Sequence, residues 1–134
     1  MSRENVELAR AYLDAYNRGD LDGAVALCAT DVEGYPDASF PESKPFVGRA
    51  ALKAFLEEIG SPWAEPPRYV LTEVIAVGDA RVLTRGDWCG RGAASAVESS
   101  SEWSIVWTFR DRQIVRVDWL SDHDKALQAV GLRE

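Results

Sequence analysis

Residues 102–120, EWSIVWTFRDRQIVRVDWL, decide the fold of this chain. Side chains in a β-strand point alternately to opposite faces, and here apolar and polar residues alternate on both sides of a polar turn at Arg110–Gln113. The pattern predicts two long antiparallel strands with one face for burial and one for water, on which Val106 is the apolar exception. The face predicted to be buried carries three tryptophans among Trp103, Ile105, Trp107, Phe109, Val115, Val117 and Trp119.

The composition argues against several classes of function. The chain has 134 residues and a formal net charge of −7, which disfavours nucleic acid and anionic membranes as partners. It has one histidine and two cysteines, Cys28 and Cys89, without metal-ligand or disulfide spacing, so we expect free thiols, no metal site and no cofactor. No apolar stretch suits a membrane helix or a signal peptide, so we expect a cytoplasmic protein.

A helical hairpin is predicted at the start of the chain. Ser2 can cap a first helix, whose apolar residues recur at helical spacing up to Tyr16, and Gly19 ends it. Asp20 then caps a second helix, predicted over Leu21–Cys28.

The next part of the chain is predicted to contain one more helix between irregular segments. Residues 31–37 form a short strand or extended run, and residues 36–47 contain three prolines and little periodicity. A third helix is predicted over Arg49–Ile59 and stops at Gly60, before a stiff, proline-rich connection at residues 61–67.

The pattern then changes to strands. Arg68–Val77 is predicted to pair with Ala80–Cys89 across a two-residue turn, Gly78-Asp79. The tryptophan hairpin follows, and Ser121 can cap a last helix over Asp122–Val130. Helices first and a meander of strands afterwards predict an α+β domain in which the helices cover the tryptophan-bearing face. A sheet bent around helices tends to enclose a cavity, and concave apolar sites bind small ligands.

Five segments carry a resemblance to a known family: AYLDAYNRGDLD (11–22), DVE (31–33), FVGRAAL (46–52), VWTFRD (106–111) and ALQAVGL (126–132). In these segments the chain resembles the SnoaL-like, polyketide-cyclase-type group of the nuclear transport factor two-like superfamily. The resemblance covers nearly the whole chain and implies one domain over residues 1–134. It implies a cone-shaped, curved, mixed or antiparallel β-sheet wrapped around the N-terminal helices, which is a cystatin-like α+β barrel with a deep pocket, often as a homodimer.

The resemblance to ketosteroid isomerase covers one of three site positions. Tyr12 matches the tyrosine of the first helix, but Pro36 and Ile105 occupy the positions of the two carboxylates. Proline and isoleucine cannot transfer protons, so we do not expect isomerase activity of that kind. Asp37, one residue from the first position, points to the opposite face of an extended strand.

A second comparison is with limonene-epoxide hydrolase, which carries Arg-x-Asp on a middle strand and a further Asp on the last strand. The matching residues are Arg85, Asp87 and Asp118. Alternation places all three on the face opposite the tryptophans, so we expect them to face solvent unless a bulge reverses the strand locally.

The SnoaL-like cyclases place an acid/base aspartate near the start of the last helix. Asp122 is the matching residue, and His123 follows it. The resemblance therefore implies that Asp122, helped by His123, moves a proton while Tyr12 donates a hydrogen bond to developing negative charge on oxygen. The alternative is structural, because acids are favoured in the first turn of a helix and His123 can simply be exposed there.

The aromatic side chains suggest what the pocket holds. We predict Trp107 in the core, and Trp63 as a lid or a surface contact. The substrate-binding candidates are Tyr16, Trp63, Trp88, Trp103, Ile105 and Trp119. Two hypotheses follow for a small hydrophobic or cyclic organic ligand: a cofactor-free acid/base enzyme (cyclase, isomerase, hydratase or epoxide-hydrolase-like hydrolase), or a non-catalytic ligand-binding or dimerisation module.

Overall fold

A computed structural model describes residues 2–38, 44–60, 67–91 and 98–132 of the chain. The helices are α1 (Ser2–Asn17), α2 (Leu21–Val25), α3 (Arg49–Gly60) and α4 (His123–Ala129). The strands are β1 (Cys28–Tyr35), β2 (Phe46–Val47), β3 (Arg68–Val77), β4 (Arg81–Arg91), β5 (Glu98–Arg110) and β6 (Gln113–Leu120). In the described part of the chain no helix has the length and apolar character needed to cross a membrane.

The strands form one mixed six-stranded sheet in the order β2-β1-β6-β5-β4-β3. The β1–β6 pair is parallel and the other pairs are antiparallel. Helices α1 and α3 pack on one face of this sheet, where the main hydrophobic cluster lies. The predicted α+β class and the mixed sheet around N-terminal helices are confirmed.

The helical hairpin agrees with the prediction at its turn and differs at its end. Gly19 has a φ of +78°, and the Asp20 side chain accepts a hydrogen bond from the backbone N–H of Gly23 at 2.9 Å. The prediction that α2 extends to Cys28 is wrong, since Cys28 begins β1. The backbone there pairs with the sheet instead, because the Leu27 carbonyl accepts from the N–H of Ile114 at 3.1 Å.

Two turn predictions have different outcomes. Asp111 and Arg112 join β5 to β6 with φ values of +52° and +62°, the pattern of a type I′ hairpin turn, so the predicted polar turn is confirmed. In the preceding hairpin Val77 pairs with Arg81, so the loop has three residues rather than the predicted two. Gly78 supplies the left-handed conformation there, with a φ of +62°.

The predicted alternation holds along β5 and at Val117 and Trp119 of β6, and it shifts by one residue at the start of β6. Trp107 is fully buried, and Trp119 pairs with Ile105 on the inner face. The prediction for Val115 is wrong, because the register shifts between Thr108 and Phe109 and Ile114 takes the buried inner position. A β-bulge adds one residue to a strand and so exchanges the faces beyond it.

The outer face of the sheet is not left to water as predicted. Helix α4 packs on it and forms a second, small hydrophobic cluster with Leu83, Val106, Ala126 and Val130. The cap of α4 is Asp122 and not Ser121, because the Asp122 carboxylate accepts from the N–H of Asp124 at 2.9 Å. Helices therefore cover both faces, and α4 lies across the sheet from α1 and α3.

Candidate ligand-binding cavity

A cavity of about 40 Å³ lies between α1, α3 and the inner face of the sheet. This volume holds a few water molecules and is far below the roughly 300–1,000 Å³ of pockets that hold drug-sized ligands. The described residues that line it are all apolar or aromatic: Tyr12, Leu13, Tyr16, Leu56, Ile59, Tyr69, Trp88, Trp103, Ile105 and Trp119.

The different periodicities of helices and strands explain how these side chains meet. Tyr12 and Tyr16 are four residues apart on α1, so they lie one turn apart on the same helix face. Trp103 and Ile105 are two residues apart on β5 and share the inner face of the sheet. Trp119 completes this wall from β6, with its ring centroid 4.8 Å from that of Phe55 on α3. An amphipathic helix facing an alternating strand pair thus produces an aromatic cavity.

Tyr69 is a lining residue that the sequence reasoning missed. Its hydroxyl donates to the backbone carbonyl of Trp103 at 2.7 Å, which ties β3 to β5 across β4. Its ring lies over Gly86, where a Cβ atom would come within 2.8 Å of the ring. Tyr69 fills the space that Gly86 leaves by having no side chain. Gly86 pairs with Leu71, so the signal that could have identified Tyr69 is an inward glycine with an aromatic residue two positions from its partner on the neighbouring strand.

Asn17 fixes the position of Tyr69 from the end of α1. Its amide nitrogen donates to the Tyr69 carbonyl at 3.0 Å, and its amide oxygen accepts from the Tyr69 N–H at 2.8 Å. This pair of hydrogen bonds between a helix and an edge strand holds the cavity wall against the helix that supplies Tyr12 and Tyr16.

The hydroxyl of Tyr12 is buried without a hydrogen-bond partner among the described residues. The side chain is 2% exposed, and its ring meets that of Trp107 edge to face at 4.8 Å. Burial raises the pKa of Tyr12 well above its ordinary value, so the hydroxyl keeps its proton at neutral pH. An unpaired buried hydroxyl costs about 1–3 kcal/mol, which makes it an unusual feature of a folded core.

Tyr16 is the second hydroxyl of the cavity, and it accepts a hydrogen bond from the indole N–H of Trp88 at 2.9 Å. Burial raises the pKa of Tyr16 and the bond from Trp88 opposes the shift in part. Both tyrosines therefore remain neutral donors around pH 7, and neither is suited to act as a base.

Exposure distinguishes the floor of the cavity from its mouth. Tyr12 and Ile105 are buried, whereas Ile59, Trp88 and Trp103 are only partly buried. The Trp103 indole N–H donates to the Ser101 hydroxyl at 3.0 Å, in an exposed position. A ligand larger than a few water molecules would have to enter by moving these partly exposed side chains.

The structure does not bring the three predicted catalytic residues to one site. Tyr12 lines the cavity, but Asp122 and His123 lie on the outer face at the start of α4. The Asp122 carboxylate caps that helix. His123 Nδ1 lies 2.7 Å from the hydroxyl of the buried Ser104, and its Nε2 lies 3.8 Å from Glu73 Oε1. A catalytic role for Asp122 and His123 stays a prediction, but at a place separate from Tyr12.

The remaining predicted positions are distributed in the same way. Arg85 pairs with Glu102 at 3.0 Å and Asp118 pairs with Arg116 at 2.8 Å, both on the outer face, as the alternation predicts. Asp87 is paired in register with Glu102 and is not among the cavity residues. The predicted wall residues that line the cavity are Tyr16, Trp88, Trp103, Ile105 and Trp119, while Trp63 lies outside the described residues.

The chemistry available inside the cavity is limited to aromatic surface and hydrogen-bond donors. Among the lining residues that the structure describes there is no Asp, Glu, His, Lys or Arg. Within the same described ranges no group of three His, Cys, Asp or Glu side chains is placed to hold a metal ion. The cavity can bind and orient a molecule, but its described residues offer no group that exchanges a proton near pH 7.

Cys28 gives a prediction for the stability of this core at high pH. Burial raises the pKa of its thiol from 9.0 to about 12, against a smaller lowering by Arg49. The Cys28 thiol does not reduce the stability of the folded state below pH 9. Stability falls as the pH rises toward 12, because the thiol releases its proton in the unfolded chain first. Relative to the Cys28→Ser variant, the free energy of unfolding should fall by about 1.4 kcal/mol per pH unit above pH 9. Urea unfolding at pH 8, 9 and 10 measures this slope, and parallel curves for the two proteins would contradict it.

Comparison with known proteins places these features in a family. The model of the SnoaL-like domain family matches residues 9–117. Among proteins of curated function no sequence matches the chain. The solved structures similar to the chain include TerC co-crystallised with polyporic acid, at 21% identity and a TM-score of 0.77, with 95% of this chain and 98% of TerC covered.

Two further structures have the same fold. A candidate polyketide cyclase from Xanthomonas campestris pv. campestris is 22% identical with a TM-score of 0.75, over 97% of this chain and 98% of that chain. An NTF2-like protein from Burkholderia xenovorans LB400 is 27% identical with a TM-score of 0.70, over 97% of each chain.

Proposed function

We propose, since the chain belongs to the SnoaL-like domain family, that it binds a small hydrophobic, cyclic organic molecule in the cavity lined by Tyr12. The observation that carries the proposal is the buried Tyr12 hydroxyl, which has no partner among the described residues. A hydroxyl left unpaired in a core is costly unless a bound molecule satisfies it. A ligand oxygen that accepts from Tyr12 would recover this cost on binding.

The size of the cavity sets a condition on binding. A cavity of about 150 Å³ is enough for benzene in an otherwise apolar core, and this cavity has about 40 Å³. The ligand must therefore open the space by displacing side chains at the mouth, of which Trp103 and Ile59 are only partly buried. A ring that enters there would contact Trp119 and the two tyrosines of α1, which line the cavity.

Proteins of the same fold support a ligand of this kind. TerC was crystallised with polyporic acid, a small organic molecule, and the fold recurs in a candidate polyketide cyclase. These likenesses concern the fold, so the ligand class assigned to this chain rests on its own cavity residues.

Binding is favoured over acid/base catalysis. The cavity residues that the structure describes include no carboxylate and no imidazole, and burial raises the pKa of both Tyr12 and Tyr16. A proton-transfer enzyme needs a group that titrates near the working pH. The non-catalytic binding module is therefore the function we propose, while the homodimer and the cytoplasmic location expected from the sequence stay predictions.

The Tyr12→Phe variant tests the proposal with acetophenone as the probe. Its ketone oxygen can accept from Tyr12, so the dissociation constant should rise about tenfold in the variant, equivalent to about 1.4 kcal/mol. The free protein should keep its free energy of unfolding or gain up to about 1 kcal/mol, because the removed hydroxyl has no partner there. NMR titration of the indole N–H signals measures binding, and urea unfolding measures stability.

Two control variants separate this role from others. Tyr35→Phe removes a hydroxyl that bonds Glu33 outside the cavity and should leave binding unchanged. Asp122→Asn keeps a good helix cap and should also leave binding unchanged, because residue 122 lies across the sheet. The proposal fails if acetophenone does not bind, or if Tyr12→Phe binds it as tightly as the parent chain does.

A further inference from the structure

The hydrogen bond between Trp88 and Tyr16 leaves one proton of the cavity without an acceptor. The Trp88 indole N–H donates to the Tyr16 oxygen at 2.9 Å, so the hydroxyl proton of Tyr16 must point elsewhere. No described residue accepts that proton, and the Tyr16 side chain lines the cavity. A hydroxyl that already accepts a hydrogen bond is polarised and becomes a stronger donor.

The other polar groups of the lining are also hydrogen-bond donors. Tyr12 also has a hydroxyl proton with no acceptor among the described residues. The Tyr69 hydroxyl donates to a backbone carbonyl, and the Trp103 indole N–H donates to Ser101. Indole offers no acceptor, and a phenol oxygen is a weaker acceptor than a carbonyl because its lone pair is shared with the ring. Two donors are thus available to a ligand, and strong acceptors are lacking in the described lining.

Charge limits the ligand further. None of the described lining residues is cationic, and the whole chain carries a formal charge of −7. An anion in this apolar space would lose its hydration without gaining an opposite charge, which disfavours its binding. An ammonium group would meet neither a carboxylate nor a carbonyl acceptor among the described lining side chains, and cation–π contact with the aromatic rings would be its only compensation for lost hydration.

We propose that Tyr16, held in place by Trp88, is the second hydrogen-bond donor of the cavity, and that this pair selects uncharged ring compounds with a carbonyl-type oxygen. The proposal rests on the binding function proposed above and specifies its ligand class. Tyr16 is then a specificity-determining residue that touches the ligand. Trp88 is a positioning residue, because its N–H fixes which way the Tyr16 hydroxyl points.

Three probes of one shape test the selection. Acetophenone, isopropylbenzene and benzoate each carry a phenyl ring on a carbon with two further substituents, but only acetophenone combines a neutral charge with an acceptor oxygen. NMR titration at pH 7 gives a dissociation constant for each. We expect acetophenone to bind at least tenfold more tightly than isopropylbenzene and than benzoate.

Variants of the pair give a readout that a purely structural role would not change. In Tyr16→Phe and in Trp88→Phe the ratio of isopropylbenzene to acetophenone dissociation constants should fall three- to tenfold. The dissociation constant of isopropylbenzene itself should stay within about twofold. In the double variant this ratio should fall no further than in the single variant with the larger fall, because the two residues act as one unit. Tyr35→Phe, on a tyrosine outside the cavity, is the matched control and should keep the parent ratio.

The outcomes separate this inference from the proposed function. If the three probes bind equally, or if benzoate binds most tightly, the selection is overturned while ligand binding in the cavity stands. If the ratio survives in Tyr16→Phe and Trp88→Phe, the role of the pair is overturned, although Tyr12 can still be a donor. If none of the probes binds, both this inference and the proposed function are overturned.

Discussion

The Trp107→Ala variant is expected to lose about 3–5 kcal/mol of unfolding free energy, the largest effect of any substitution considered in this protein. Trp107 is fully buried at the centre of the main cluster, and its ring contacts that of Tyr12. Its indole N–H donates to the hydroxyl of Thr84 at 3.0 Å, and Thr84 is 1% exposed. Alanine would leave a large cavity and would also leave the buried Thr84 hydroxyl without this partner.

Urea unfolding monitored by circular dichroism measures the Trp107 effect. The midpoint should fall with little change in the slope of unfolding free energy against urea, because the loss concerns stability and not the compactness of either state. Trp103→Ala is the comparison, since Trp103 is only partly buried, and it should lose about 1–2 kcal/mol. A loss below about 1 kcal/mol for Trp107→Ala would show that this side chain does not form the core.

The Gly86→Ala variant should lose about 2–3 kcal/mol of unfolding free energy, because the added methyl group crowds its neighbours. A Cβ atom at this position would lie 2.5 Å from the carbonyl oxygen of Val70 and 2.8 Å from the ring of Tyr69. The Val70 oxygen belongs to the backbone of the paired strand β3, so it cannot rotate away as a side chain can. The added methyl group must push the two strands apart or drive the Tyr69 ring into the cavity.

Gly60→Ala is the matched control for Gly86→Ala. At Gly60, the last residue of α3, a Cβ atom would come no closer than 3.6 Å to Pro67, which is an ordinary contact. Alanine is also the better helix former, so this variant should be neutral or up to about 1 kcal/mol more stable. Equal urea midpoints for Gly86→Ala and the parent chain would contradict the close approach of the strands.

Alternation and helix periodicity predicted most of the architecture from the sequence alone. The tryptophan hairpin, its polar turn and the inward face of β5 follow from side chains that alternate along an extended chain. The exceptions arise where pairing between strands distant in sequence determines the local structure. The alternation predicts an inward Val115 because no residue near it signals the bulge that exchanges it with Ile114. The local pattern predicts a helical Cys28 because it does not reveal the parallel pairing with β6.

The cavity was predictable in its walls and not in its depth or its polar groups. The aromatic residues on the inner face could be identified from the period of their strands. The side of the sheet on which α4 packs could not, because a short helix after a strand can turn to either face and Asp122 suits a helix cap in both cases. The missing partner of Tyr12 and the bond from Trp88 to Tyr16 depend on distances that a sequence does not contain.

The two hydrogen bonds between Asn17 and Tyr69 have a consequence for the association of one copy of the protein with another. Strand β3 ends the sheet, and an unprotected last strand is a template onto which another chain can add and start aggregation. In an antiparallel strand the N–H and C=O of one residue point the same way, so both Tyr69 groups that Asn17 occupies face away from β4. The Asn17 amide thus takes the place of an incoming strand at this residue and hinders strand addition there.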